Sequence, residues 1–184
     1  MGMPSISITF TELAATAIKR GERGIIAMII KDTTVPGTNP AVCVSNEDVP
    51  ATLTKDNQEQ IKLALMGYVN TPKRVIAYVL KDNAEDYTEA LNYFKTVKFD
   101  YLVVPTVATD EKTDDIVSYV KTQRAANKLI KAVLPNTVGD NEAIINFATE
   151  SVTVNDKTYT TEQYCSRIAG IIAGTPLSIS CTYA

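Results

Sequence analysis

The chain contains no histidine. Every Ser-His, Cys-His and His-metal arrangement is therefore excluded from it, and with them much of hydrolytic and metal-dependent enzymology. Cysteine is scarce. Cys43, Cys165 and Cys181 form an odd set with no C-x-x-C spacing, so neither a zinc site nor a disulfide framework is indicated, and buried reduced thiols are expected. No G-x-x-x-x-G-K-[ST] string is present, and the glycine pair in "RGERG" precedes a strand rather than opening a helix, which excludes a P-loop and a dinucleotide fingerprint. No long apolar run occurs either. A bilayer span needs about 20 consecutive apolar residues. The most apolar stretch, "CSRIAGIIAGTPLSIS", is interrupted between Ile168 and Ile179 by Gly170, Gly174, Thr175, Pro176 and Ser178. Basic residues are not in excess: the net charge is −3, and "KTVK" and "VKTQRAANKLIK" have acids nearby, so no nucleic-acid footprint emerges. The start, "MGMPSISITF", lacks the charged and apolar regions of a signal peptide, and Ile6 stands where a myristoylation pattern needs Ser or Thr; cytoplasmic synthesis is the expectation.

With 184 residues, 45% hydrophobic and 21% charged, the chain can bury one ordinary core. Its first segment stands apart. In "PSISITF", Ile6, Ile8 and Phe10 alternate with Ser5, Ser7 and Thr9, the period of a strand with one buried face. "TELAATAIKRGERG" follows as a tether of small and charged residues. "GIIAMIIKD" is then a continuous apolar run, as expected of a strand covered on both faces. "PAVCVS" reads as a short partner strand, and Pro36-Gly37 as the turn closing a hairpin between the two.

From there helices and strands alternate. Ile61, Ala64, Leu65 and Tyr68 define one helical face, with Asp56 and Glu59 as a capping pair; Tyr87, Ala90, Leu91 and Phe94 define a second; Ile116, Val117 and Val120 a third. "KRVIAYVL", "FDYLVVP" and "LIKAVLP" lie between and after them as strands. Such repeated strand–helix units predict an α/β fold, a mainly parallel sheet with helices on its faces. "NEAIINFA" follows, and Asn155-Asp156 marks a tight hairpin within "SVTVNDKTY". A last helix begins at Thr160 or Thr161, carries Tyr164, Ile168, Ile171 and Ile172 on one face, and stops at Gly174 and Pro176. Ala169, Gly170, Ala173 and Gly174 form small-residue pairs four apart, which permit close approach to a neighbour.

The acids Asp82 with Asp86, Asp110 with Glu111, Asp114 with Asp115 and Asp140 with Glu142 fall in loops or at helix starts, where capping explains them. The alternative use is a Mg²⁺ site at strand C-termini built from Asp82 and Asp110. The tyrosines 68, 78, 87, 93, 101 and 119 fall on element faces, as core or interface packing requires.

Two stretches carry a resemblance. "MPSISITFTELAATAIKRGERGIIAMIIKD", through Pro4, Ile6, Ile8, Phe10, Ala14, Ala15, Ala17, Arg23, Gly24 and Ala27, is similar to the start of the phage tail sheath family of Gram-positive myophages, phage-like elements and contractile R-type bacteriocins. "YCSRIAGIIAGTPLSISCTYA", through Ala169, Gly170, Ala173, Gly174, Pro176, Ser180, Thr182 and Tyr183, resembles a second stretch of that family. The resemblance implies a non-enzymatic virion structural protein without cofactor or metal, found in a phage tail or bacteriocin particle. It implies subunits stacked as six-fold rings around a tail tube, contracting to drive the tube through a bacterial envelope. The implied partners are other sheath subunits, the tail tube protein and the baseplate, with no nucleic acid and no membrane segment. The expected division is an N-terminal arm and tether over 1–22, an α/β domain over 23–177, and over 178–184 the start of a connection to the C-terminal domain that family members carry. Pro4, Ile6, Ile8 and Phe10 are the expected inter-subunit arm, because an isolated alternating strand gains its missing hydrogen bonds by strand addition to another chain. The bland alternative is pairing of residues 5–10 with the chain's own sheet. The alternative of another class is a small α/β enzyme or binding domain for a phosphorylated ligand or Mg²⁺.

Overall fold

The computed structural model describes residues 24–176 and 178–181. Its centre is β1 (Ile25–Asp32), a strand covered on both faces. β3 (Arg74–Lys81) pairs parallel to it on one side, Ile25 opposite Arg74, and β4 (Tyr101–Val103) on the other, Ile26 opposite Tyr101. β5 (Lys131–Pro135) and β6 (Ile144–Phe147) continue the parallel ladder. With β2 (Ala41–Cys43) on the far edge the order is β2-β3-β1-β4-β5-β6. The α/β expectation holds.

Strand alternation divides the core into two layers. Ile25, Ala27 and Ile29 of β1, with Ile76, Tyr78 and Leu80 of β3, meet α2 (Thr88–Phe94) and α3 (Thr113–Ala125) through Ala90, Phe94, Ile116 and Val120. Ile26, Met28 and Ile30, with Val75, Ala77 and Val79, meet α1 (Lys55–Leu65) and α4 (Thr161–Gly174) through Ile61, Ala64, Leu65, Cys165 and Ala169. Tyr78, Tyr87 and Tyr119 are buried as expected, but Tyr68 lies beyond the end of α1 and is 46% exposed. Of the thiols, Cys43 and Cys165 are buried and Cys181 is exposed, so the expectation of buried thiols fails at Cys181.

The Pro36-Gly37 turn does not close a hairpin. β1 is already bonded on both sides, and β2 pairs antiparallel with the free edge of β3, Ala41 opposite Ala77. The Asn39 side-chain amide prolongs that pairing by donating to the Val79 carbonyl at 2.8 Å and accepting from its N–H at 2.9 Å. β6 shows little sequence signal as a parallel strand, because residues 136–143 link it to β5 without a crossover helix. The turn Asn155-Asp156, both residues at positive φ, joins β7 (Ser151–Val154) to β8 (Lys157–Thr160) as the sequence predicts.

α4 starts at Thr160, whose hydroxyl accepts from the Gln163 N–H while the Gln163 side chain accepts from the Thr160 N–H. Its buried face is not the isoleucine stripe. Cys165, Ser166, Ala169, Gly170, Ala173 and Gly174 face inward, and Tyr164, Ile168, Ile171 and Ile172 are only half-buried at the rim. A Cβ on Gly170 would lie 2.3 Å from the Ala64 carbonyl oxygen, and one on Gly174 2.1 Å from that of Asn70. Two backbones touch there, and small residues set the distance. Gly170→Ala should therefore destabilise the chain by about 1–3 kcal/mol, as overpacking does. Ile172→Ala should cost less, a ranking that urea denaturation of the two variants checks.

Candidate functional site

An open parallel sheet binds ligands beyond the C-terminal ends of its strands, at the point where successive connections leave in opposite directions. Setting β2 aside, the order β3-β1-β4-β5-β6 puts that point between β1 and β4. The residues delivered there are Lys31 and Asp32 from the end of β1, Tyr87 at the start of α2, and Thr106 and Asp110 from the loop after β4.

These groups are engaged with one another. Lys31 Nζ lies 3.0 Å from Asp110 Oδ1, with 14% and 19% of the two side chains exposed. Tyr87 Oη donates to the same carboxylate, as does Thr106 Oγ1 at 2.9 Å, and the Lys31 ammonium sits 5.3 Å from the centre of the Tyr87 ring. Burial pushes the Tyr87 phenol up, and the adjacent carboxylate adds to the shift. Burial acts to raise the Asp110 carboxyl, but Tyr87, Lys31 and Thr106 together hold it below its ordinary value. Glu162, in the first turn of α4, accepts from the N–H groups of Ala108 and Thr109 at 3.0 and 3.1 Å and fastens the loop after β4. Asp82, the proposed companion of Asp110, is exposed on the neighbouring turn. Among the described residues no group of three or more His, Cys, Asp or Glu is placed to hold a metal ion.

Asp32 escapes the sequence reading, which sees it only as the end of an apolar run. It is 2% exposed. Its carboxylate accepts from Thr54 N and Thr54 Oγ1, both at 2.8 Å, from Asn57 Nδ2 at 2.7 Å and from Thr34 N at 3.1 Å. One carboxylate thus fixes the turn after β1 and the start of α1. The usable signal was the T-x-x-N spacing of Thr54 and Asn57 at a helix start. The expected Asp56–Glu59 capping pair does not form. Glu59 instead accepts from Lys157 and Tyr159 and ties the β7–β8 hairpin to α1. Asp86, by contrast, accepts the Thr88 N–H at 2.9 Å, and Asp114 and Asp115 occupy the first turn of α3, where the helix dipole favours them, although no side chain caps that helix. Between α1, α4 and the hairpin lies an open groove of about 450 Å³, lined among others by Leu63, Met66, Val154, Tyr164 and Arg167. The thiols of Cys43 and Cys165 are pushed up by burial to about 11 and about 12, outside the range of a reactive cysteine. The expected arm residues Pro4, Ile6, Ile8 and Phe10 lie outside the described residues.

Residues 81–184 match the family model of the phage tail sheath protein central domain. The chain belongs to the phage tail sheath protein family. Over its whole length it is 38% identical, across 190 aligned residues, to the tail sheath protein of Clostridium phage phiCD119. The match takes in 51% of that protein, so the chain spans about half the length of this curated sheath relative. The fold is shared with the sheath tail protein of Listeria innocua, with a TM-score of 0.74 and 17% identity over 93% of this chain and 61% of that one. The sheath tail protein of Desulfitobacterium hafniense gives 0.71 and 17%, over 87% and 61%. The tail sheath family is one of structural proteins, not of enzymes. A crevice closed by its own ion pair suits such a domain.

Hydrogen-bond donors lower the Asp32 carboxyl to about 2 against the opposing effect of burial. A depressed carboxylate contributes stability in full above its unfolded value near 4 and loses it as pH falls toward the folded value. Asp32→Asn should destabilise the chain by about 2 kcal/mol at pH 7. The gap between the wild-type and variant urea midpoints should close as pH falls from about 5 to about 2.

Proposed function

We propose that this chain is part of a contractile tail sheath subunit, which polymerises around a tail tube and shortens to drive the tube through a bacterial envelope. The observation that carries the reading is 38% identity along the entire chain to a tail sheath protein. The physical chemistry agrees with it. The crevice where a doubly wound domain would take a small molecule is filled by Lys31, Tyr87, Thr106 and Asp110. Among the described residues no helix is long and apolar enough to cross a membrane.

In this reading residues 1–22 form an arm and tether, 23–177 an α/β domain, and 178–184 the start of a connection onward. Pro4, Ile6, Ile8 and Phe10 carry the strand that adds to a sheet in a neighbouring subunit, supplying hydrogen bonds that an isolated strand lacks. The alternation of Ile6, Ile8 and Phe10 with Ser5, Ser7 and Thr9 supports this, since one face is free to pack and the other to meet water. The partners are other subunits in six-fold stacked rings, the tail tube protein within and the baseplate at one end. The place of action is a phage tail or bacteriocin particle, reached after synthesis in the bacterial cytoplasm.

Deletion of residues 1–20 tests the arm. The truncated domain should unfold cooperatively with nearly the parent midpoint, since the strand contributes between chains rather than within one. In the full-length gene product the same deletion should abolish sheath polymers in electron micrographs. Polymers of normal length would sink the arm assignment, and loss of cooperative unfolding would instead show pairing with the chain's own sheet.

A further inference from the structure

The start of β1 and the end of α4 lie side by side. Gly24 immediately precedes β1 at the N-terminal edge of the sheet, so close to the end of α4 that a Cβ there would lie 2.7 Å from the Ala173 carbonyl oxygen. The same edge collects exposed apolar side chains. Met66, Tyr68 and Val69, in the loop before β3, are 62%, 46% and 56% exposed. Leu129, just before β5, is 75% exposed, Val44, just past β2, 59%, and Ile179, beyond α4, 47%.

The loop bearing three of them is held in place. Gly67 turns it at φ +59, Tyr68 N donates to the Asn70 carbonyl at 3.1 Å, and Asn70 N donates to the Gly174 carbonyl at 3.0 Å. Arg167 Nη1 donates to the Gly67 carbonyl at 2.5 Å. A loop fixed to its own helix while turning three large apolar side chains outward has the form of a preorganised contact. Four exposed lysines, Lys73, Lys95, Lys98 and Lys128, flank the patch. The acids on this edge include Glu47, Asp48, Asp100 and Glu142; Asp48 and Asp100 hold backbone N–H groups at Val44, Ser45, Gly24 and Ile25, and Glu142 pairs with Arg124.

We infer that the N-terminal edge of the sheet, centred on Met66, Tyr68 and Val69, is the face on which the remaining half of the sheath polypeptide seats, through an apolar surface rimmed by acidic residues. The inference rests on the sheath reading above. It commits to that occupant because β1 begins and α4 ends on this face, and because the aligned region makes up only 51% of the curated relative. A polypeptide that continues from here meets this surface first, and lysines at its border complement acids rather than a second copy of themselves.

Single cysteines report on the face directly. In a Cys181→Ser background, where Cys43 and Cys165 are buried, Val69→Cys, Leu129→Cys and, on the opposite edge, Glu85→Cys are labelled with a maleimide. Each is compared in the 184-residue chain and in the full-length gene product, held below the concentration at which it polymerises. Val69→Cys and Leu129→Cys should react at least about tenfold more slowly in the longer protein, with Glu85→Cys unchanged. Equal rates at 69 and 129 in the two proteins, or equal slowing at 85, overturn the inference. Electron microscopy of the same full-length samples at high concentration keeps the two readings apart. Polymers together with an unprotected Val69→Cys overturn the face alone, while absence of polymers counts against the sheath reading.

Discussion

Everything on one side of the sheet depends on a contact in which side chains take no part. At Gly170 the backbone of α4 rests against the Ala64 carbonyl of α1, and at Gly174 it rests against Asn70 and Gly67. That approach brings the last helix down onto β1, β4 and β5, so Cys165, Ala169 and Ala173 can close the second core layer. It also places Glu162 within reach of the loop after β4 and Arg167 within reach of the Gly67 carbonyl. A methyl group at either glycine would push these contacts apart together, because interiors at crystal-like density have no slack to absorb it.

The opposite end of the sheet shows how a fold often associated with small ligands is made self-sufficient. A doubly wound sheet leaves helix N-termini and strand ends converging on one crevice, and unpaired polar groups there bind something or stay wet. Here Lys31 and Asp110 neutralise each other, Tyr87 and Thr106 satisfy the remaining lone pairs, and Asp32 turns inward to hold two loops. The same residue types that serve catalysis elsewhere are consumed by local order.

Much of this architecture is legible in the residues. Continuous apolar runs at 25–30 and 75–80, helical spacing of Ile61, Ala64 and Leu65, and the Asn155-Asp156 turn each specify their element locally, and each element forms. What escapes is what depends on partners distant in sequence. β2 turns to β3 because β1 has no free edge, a fact of topology rather than of residues 33–43. β6 lies parallel to β5 without the helix that usually announces such a strand. The isoleucines of α4 outrank its glycines and alanines on any hydropathy reading. Yet the small residues face inward, because distance of approach rather than hydrophobicity chooses the buried side. Asp32 is the sharpest case, since its donors Thr54 and Asn57 come from the far end of a loop.

The closeness of Gly24, just before β1, to Ala173, near the end of α4, gathers two distant parts of the chain at one corner of the domain. Tension applied there acts first on that corner, where the Lys73 N–H donates to the Gly24 carbonyl at 2.9 Å and the Asn70 N–H to the Gly174 carbonyl at 3.0 Å. The far strands β5 and β6 lie on the other side of β4 from that corner, away from the line between its two ends.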